Sequence, residues 1–267
     1  MMKLINTDLD AGVLPGADVA AFWQPWLSPD STFCRALVKS GYLTEEQMLR
    51  AAGRYRLGKS RDGGVIFWQI DEEGRTRDGK IMYYREDCHR NKSRHPSWAS
   101  ARLKAYYGYD GDLPVDRCLF GLHLLGHTDL TDHTDFEPLD EGAAIKQGSF
   151  ISVRSVKSVC HKNSVCVVEA EKTAVIMSEV YPQYVWMAAG GLSALSAEKL
   201  RPLRDHKVVL FPDTDPDGTT YTRWKAIAEE ASRHTLYPIY VSPLLERQAS
   251  PEQKASKIDI VDFLFSH

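Results

Sequence analysis

Two acidic groups stand where they could handle phosphate. Glu169 directly follows the apolar run VCVV (165–168), and Asp213-Thr214-Asp215-Pro216-Asp217-Gly218 directly follows KVVLFP (207–212). Carboxylates crowded at one place repel one another and are tolerated when a hard divalent cation neutralises them. An oxygen-only donor set favours Mg²⁺ or Mn²⁺ over zinc, and Mg²⁺ shares its shell between one or two carboxylates, water and substrate phosphate. The phrase DTDPDG also begins like an EF-hand loop. Its twelfth position, where a bidentate Glu belongs, is Trp224, and the phrase follows a strand-like run. A plainer reading stays open: an acidic loop that only caps the following helix at its positive end.

The elements that must position these acids are legible from composition. VCVVEA (165–170), YVWMAAG (184–190), KVVLFPD (207–213) and LYPIYVS (236–242) are short runs rich in Val, Ile and Tyr. Between them lie KTAVIMSEVY, SALSAEKLRPLR and TTYTRWKAIAEEASR, each helix-like. Strands alternating with helices predict an α/β domain over 164–267 with a parallel sheet covered on both faces. Chemistry in such sheets sits beyond the carboxyl ends of the strands, where the acids fall. Gly190-Gly191 closes the second run and precedes a helix-like stretch, which suits either a backbone nest for phosphate or a tight turn.

The first half is organised differently. Asp30-Ser31 offers a helix N-cap before FCRALVKS, with Gly41 as the stop, and Thr44–Gln47 has capping-box spacing for a helix through about Tyr55. VIFWQI (65–70) and KIMYYR (80–85) predict a β-hairpin with a long basic tip, DEEGRTRDG, and residues 98–107 read as helical. Residues 50–107 hold 14 Lys/Arg against 7 Asp/Glu, in a chain of net charge −3, so the remainder is acidic. Cations interleaved with Trp68, Tyr83, Tyr84 and other aromatics suit single-stranded nucleic acid, the cations on phosphate and some of the rings on bases. Residues 1–29 read as an N-terminal arm, 30–125 as a basic α+β subdomain, and 126–163 as an acidic connection or insertion with an edge strand near 150–158. The five cysteines show no ligand-pair spacing and fit a reducing compartment. No secretory leader, membrane span, GxxxxGK[ST] or GxGxxG phrase is present, which predicts a cytoplasmic protein that is neither an autonomous ATPase motor nor a Rossmann dehydrogenase.

A strand-terminal Glu followed, one βαβ unit and one strand later, by D-x-D-x-x-G resembles the Toprim domain shared by bacterial-type primases, topoisomerases and some nucleases. The correspondence runs from Val165 to about Leu264. VVEAEKTA looks like the family's strand–Glu–Gly segment, and KIDIVDFL (257–264) is similar to a K-D-x-x-D phrase late in primase Toprim domains. RYRLGKS, the hairpin, RHPSWASARLK and CLFGLHLL fall in the order of the basic subdomain of primase cores. The whole is most similar to Toprim-bearing proteins of bacterial mobile elements.

The resemblance implies Glu169, Asp213 and Asp215 as catalytic and metal-binding acids, with Asp217 beside them and Asp259 and Asp262 in support. It implies Mg²⁺ or Mn²⁺, and Lys172, Gly190, Gly191 and Lys257 as nucleotide contacts. Arg54, Arg56, Lys59, Arg75, Arg77, Lys80 and Arg85 would meet phosphates of single-stranded DNA or incoming nucleoside triphosphates. The implied activity is primase-like nucleotidyl transfer, with a helicase or a separate zinc-binding module as partner. A metal-dependent nuclease and a catalytically silent single-strand-binding module are the alternatives, and a D-x-D phosphatase of the haloacid dehalogenase type is disfavoured by Asp217. Ala170 stands where the family has Gly, Thr173 where a further acid often occurs, and Ile258 separates Lys257 from Asp259.

Overall fold

Local capping starts the chain's first helices. Ser31 accepts from the Cys34 N–H and opens α1 (Thr32–Lys39), which ends before Gly41 at φ +77°. Thr44 and Gln47 form the expected reciprocal capping box at the start of α2 (Glu45–Arg54). These belong to a computed structural model that describes residues 30–107, 115–125 and 164–265. The chain divides into two units, residues 1–126 and 127–267. The predicted arm at 1–29 and the connection at 126–163 with its edge strand lie outside the described residues.

In the first unit, β1 (Gly58–Lys59), β2 (Val65–Ile70), β3 (Thr76–Met82) and β4 (Ser97–Trp98) form an antiparallel sheet in that order, followed by α3 (Ala99–Tyr107). Every residue of β2 is buried, because both faces of the strand are covered. Ile66, Trp68 and Ile70 pack with Ile81, Tyr83, Ala99 and Leu103. Phe67 points the other way, edge-on to Phe33 of α1 and to Phe120. The Trp68 ring fills the space that side chains at Gly58 and Gly79 would need: a Cβ there would lie 2.5 and 2.6 Å from ring atoms.

Two expectations are corrected by this packing. The hairpin tip is short, not long: Asp71 closes a turn over 71–75, and β3 begins at Thr76. Trp68, Tyr83 and Tyr84 are all buried, so none of these rings is presented for stacking on bases. A two-sided core has claimed them.

The second unit holds β5 (Val165–Val168), β6 (Val185–Ala188), β7 (Val208–Phe211) and β8 (Tyr240–Val241) in a parallel sheet of order β6-β5-β7-β8. The predicted α/β layering and parallel sheet are observed. Crossovers run through α4 (Glu171–Val180) and α5 (Thr219–Ala231), and three short helices follow β8: α6 (Leu244–Gln248), α7 (Pro251–Ala255) and α8 (Ile260–Phe265). The segment between β6 and β7 forms only a 3-10 turn, Glu198–Leu203, with Pro202 inside it. No helix starts at Gly190-Gly191, which instead turn at φ +92° and +145°. β8 is shorter than LYPIYVS predicts: Pro238 has no N–H for the ladder, and pairing begins at Tyr240. Among the described residues, no helix is long and apolar enough to cross a membrane.

Candidate acid centre at the carboxyl edge

The strand order fixes where the acids go. From β5 the chain crosses to β6 on one side, and from β7 it crosses to β8 on the other, so the reversal point lies between β5 and β7. In open α/β sheets that point forms the crevice where ligands bind. β5 and β7 pair in parallel register, Val168 opposite Phe211, which puts Glu169 and Asp213 just past the paired ends of adjacent strands.

A third segment reaches the same edge. Thr214 donates both its N–H (3.0 Å) and its Oγ hydroxyl (3.1 Å) to the Ile258 carbonyl oxygen. Asp259 and Asp262 each accept from the other's backbone N–H, at 2.7 and 3.2 Å respectively, in a capping-box arrangement that starts α8. Thr173 of α4 donates to the buried Asp259 carboxylate at 2.5 Å. The Asp213 carboxyl is pushed well above the usual carboxylate range by burial, then by the negative charges of Asp259, Glu169 and Asp262, with Lys172 opposing them. Four acids and one lysine therefore share one electrostatic neighbourhood.

Asp215 is in a different state from Asp213. Its Oδ1 accepts from the Asp217 and Thr219 N–H groups, both at 3.0 Å, and its Oδ2 from the Thr220 N–H at 2.6 Å. Burial works against its charge, but hydrogen bonds from the Thr220 side chain and from the Thr220, Thr219 and Asp217 N–H groups outweigh it and bring the carboxyl down to about 2. Asp217 is exposed.

The donor set at the edge is all oxygen and its charge is poorly compensated, which suits a hard dication. Among the described residues, no group of three or more His, Cys, Asp or Glu is arranged to hold a metal ion. Mg²⁺ needs fewer, since one or two carboxylates with water and phosphate complete its shell. Glu169 and Asp213 are two carboxylate-bearing residues that follow adjacent strands at this edge.

Gly190 donates its N–H back to the Glu169 carbonyl oxygen at 3.0 Å, so this turn helps fix the end of β5. Lys172 is half-buried beside the acids, and Lys257 is exposed at φ +55°. Sequence reasoning missed Glu246. It follows β8, lies 3.3 Å from where a Gly218 Cβ would sit, and pairs with Lys254 at 2.7 Å. The only signal for it was its place beyond the last strand.

The first unit's cations are largely engaged by its own carboxylates. Arg75 and Arg77 both donate to Asp71 Oδ2 at 2.8 Å, Arg85 pairs with Asp87, and Lys59 lies 4.0 Å from Asp30. Arg94 and Arg102 converge on Asp62 together with the Tyr83 hydroxyl. The buried Asp78 accepts from the Ser100 N–H and hydroxyl and from Arg117. Arg54 and Arg56 are half-buried, Arg56 at φ +50°, and Lys80 of β3 is flanked across the sheet by Phe67 and Trp98.

A family model described as "Domain of unknown function (DUF6371)" matches residues 31–134 and 155–214. No curated protein matches the chain. Among solved structures it is similar to the primase fragment of the bacteriophage T7 primase-helicase protein, at 14% identity and TM-score 0.39, over 80% of this chain and 64% of that one. It is also similar to the Aquifex aeolicus primase (zinc binding and RNA polymerase domains), at 13% identity and TM-score 0.37, over 93% of this chain and 54% of that one. The chain thus spans less than two thirds of either.

Proposed function

The chain belongs to the DUF6371 family, and from that premise we propose that it is a primase-like nucleotidyltransferase built on a Toprim-type acid centre. The observation that carries the reading is the placement of Glu169 and Asp213 on adjacent strands at the sheet's reversal point, with the Asp213 carboxyl pushed up by its acidic neighbours.

Glu169 and Asp213 would hold Mg²⁺ or Mn²⁺, with Asp259 and Asp262 adding negative charge behind them. When bound, the ion supplies neutralisation of triphosphate charge and a lower pKa for an attacking 3′-hydroxyl. The chain's own residues do the rest. Glu169, half-buried at the strand end, would accept the proton from that hydroxyl. Lys172, whose positive charge acts on Asp213, suits a phosphate oxygen. Thr173 and the α8 cap fix Asp259, so the acids behind the site do not swing away. Single-stranded DNA and nucleoside triphosphates are the substrates this chemistry fits, with the basic first unit as the template-binding part.

The test is template-dependent synthesis of short oligonucleotides from nucleoside triphosphates with Mg²⁺ or Mn²⁺. The reading predicts product from the wild type and none from Asp213→Asn. Absence of product from the wild type, with and without an added zinc-binding module, removes polymerisation. Metal-dependent nicking of supercoiled plasmid, lost in the same variant, would replace it with the nuclease reading.

A further inference from the structure

We infer that Asp215 is a positioning residue, not an ion ligand: it clips the Asp213 loop to the first turn of α5, and a dication on Glu169 and Asp213 is held without it. The inference rests on the acid centre proposed above and departs from the D-x-D pattern, in which both aspartates serve the metal.

An ionised carboxylate offers about four lone-pair sites. At Asp215 the Asp217 and Thr219 N–H groups occupy one oxygen, and the Thr220 N–H occupies the other. The Thr220 hydroxyl reaches the same carboxylate and fills the set. The Thr219 and Thr220 N–H groups open a 13-residue helix, where they have no partner within the helix, and the Asp217 N–H lies just before it. Gly218, at the N-cap position, has no side chain to serve them, so Asp215 does so from three residues upstream. An ion at Asp215 would have to displace one or more of these donors, at about 1–3 kcal/mol for each one left unsatisfied.

Asp213 is built the opposite way. Negative neighbours surround it, and its placement comes from the residues after it. Thr214 is bonded to Ile258 on one side, and Asp215 is bonded to α5 on the other. The two anchors fix the loop and leave Asp213 to bind.

The experiment titrates Mn²⁺ into the full chain by calorimetry and melts the same samples, comparing wild type with Asp213→Asn, Asp215→Ala and Asp215→Ser. Serine at this position can still accept from the backbone N–H two residues on, as Asp215 does, but is a poor substitute for a carboxylate ligand. Asp215→Ala is expected to lower Tm by about 2–6 °C. It should also weaken Mn²⁺ roughly three- to tenfold through displacement of Asp213, while Asp215→Ser restores affinity to within roughly threefold of wild type. Asp213→Asn should lose at least about tenfold in affinity with no fall in Tm. Mn²⁺ loss in Asp215→Ser as complete as in Asp213→Asn overturns the inference. If the wild type takes up no Mn²⁺, the proposed function fails instead. The clip is then judged by the melts and by amide exchange at Thr219 and Thr220: equal behaviour of the Ala and Ser variants overturns it.

Discussion

The two units treat their carboxylates in opposite ways. In the first, Asp62 meets Arg94 and Arg102, Asp71 meets Arg75 and Arg77, and Asp78 meets Arg117. In the second, Asp213 sits among Asp259, Glu169 and Asp262 with Lys172 as the opposing charge. Internally matched acids hold a sheet and its loops together. Acids crowded at a strand edge weaken the fold locally and are the arrangement a substrate or ion can use. The positive charge concentrated in residues 50–107 is therefore, in good part, the counter-charge of that unit's own acids, and its net value overstates what is left for a partner.

The comparison breaks most visibly at Asp78. Asp78→Ala removes the acceptor for Ser100 and Arg117 in a fully buried position, and is expected to destabilise the first unit by about 2–4 kcal/mol. Urea unfolding followed by tryptophan fluorescence reads this, and a change under about 0.5 kcal/mol would show the matched network to be incidental.

Asp213→Asn should act with the opposite sign. Removing a charge its neighbours oppose is expected to stabilise the second unit at neutral pH. A lower Tm for this variant contradicts the account. Thr173→Val takes a donor from Asp259 and should destabilise by about 1 kcal/mol, while leaving the first unit's amide exchange unchanged.

Acid titration sharpens the contrast most gently. Asp62 and Asp71 have folded-state pKa values below the ordinary 3.8, where burial is outweighed by hydrogen bonds from Ser60, Tyr83 and Arg102 at Asp62 and from Arg75 and Arg77 at Asp71. The stability they contribute is present above 3.8 and drains away as pH falls through their lowered values. Asp213 is raised, so its ionised form costs stability at neutral pH, and that cost is relieved as pH falls through its raised value toward 3.8. Amide protection factors, which correct for the intrinsic pH dependence of exchange, should rise in β7 between neutrality and about pH 4, while those in β3 stay level and fall only below that. Parallel behaviour of the two strands would erase the distinction.

Much of the second unit was legible because strand, helix and acid alternate in the sequence as they do in space. Val165–Val168 and Val208–Phe211 read as buried strands, and their closing acids fell on the expected edge. The state of each acid was not legible. Nothing in DTDPDG separates Asp215, whose oxygens serve α5, from Asp213, which faces other acids; that depends on where residues 217–220 and 257–262 return in space. The hairpin tip was misjudged for a similar reason. Arg77 and Asp78 look like loop residues until Asp71 closes the turn and Arg117 meets Asp78, and hydrophobic pattern carries no sign of either. The buried state of Trp68 followed from Gly58 and Gly79, spaced to admit a ring that only the folded sheet brings between them.

The claim on which the rest depends is that Glu169 and Asp213 together seat a hard dication. Calorimetric titration of Mg²⁺ and Mn²⁺ into the wild-type chain, Glu169→Gln and Asp213→Asn tests it directly. The account predicts saturable uptake by the wild type that both substitutions weaken by at least about tenfold. No uptake by the wild type, or uptake that survives both substitutions intact, would contradict it.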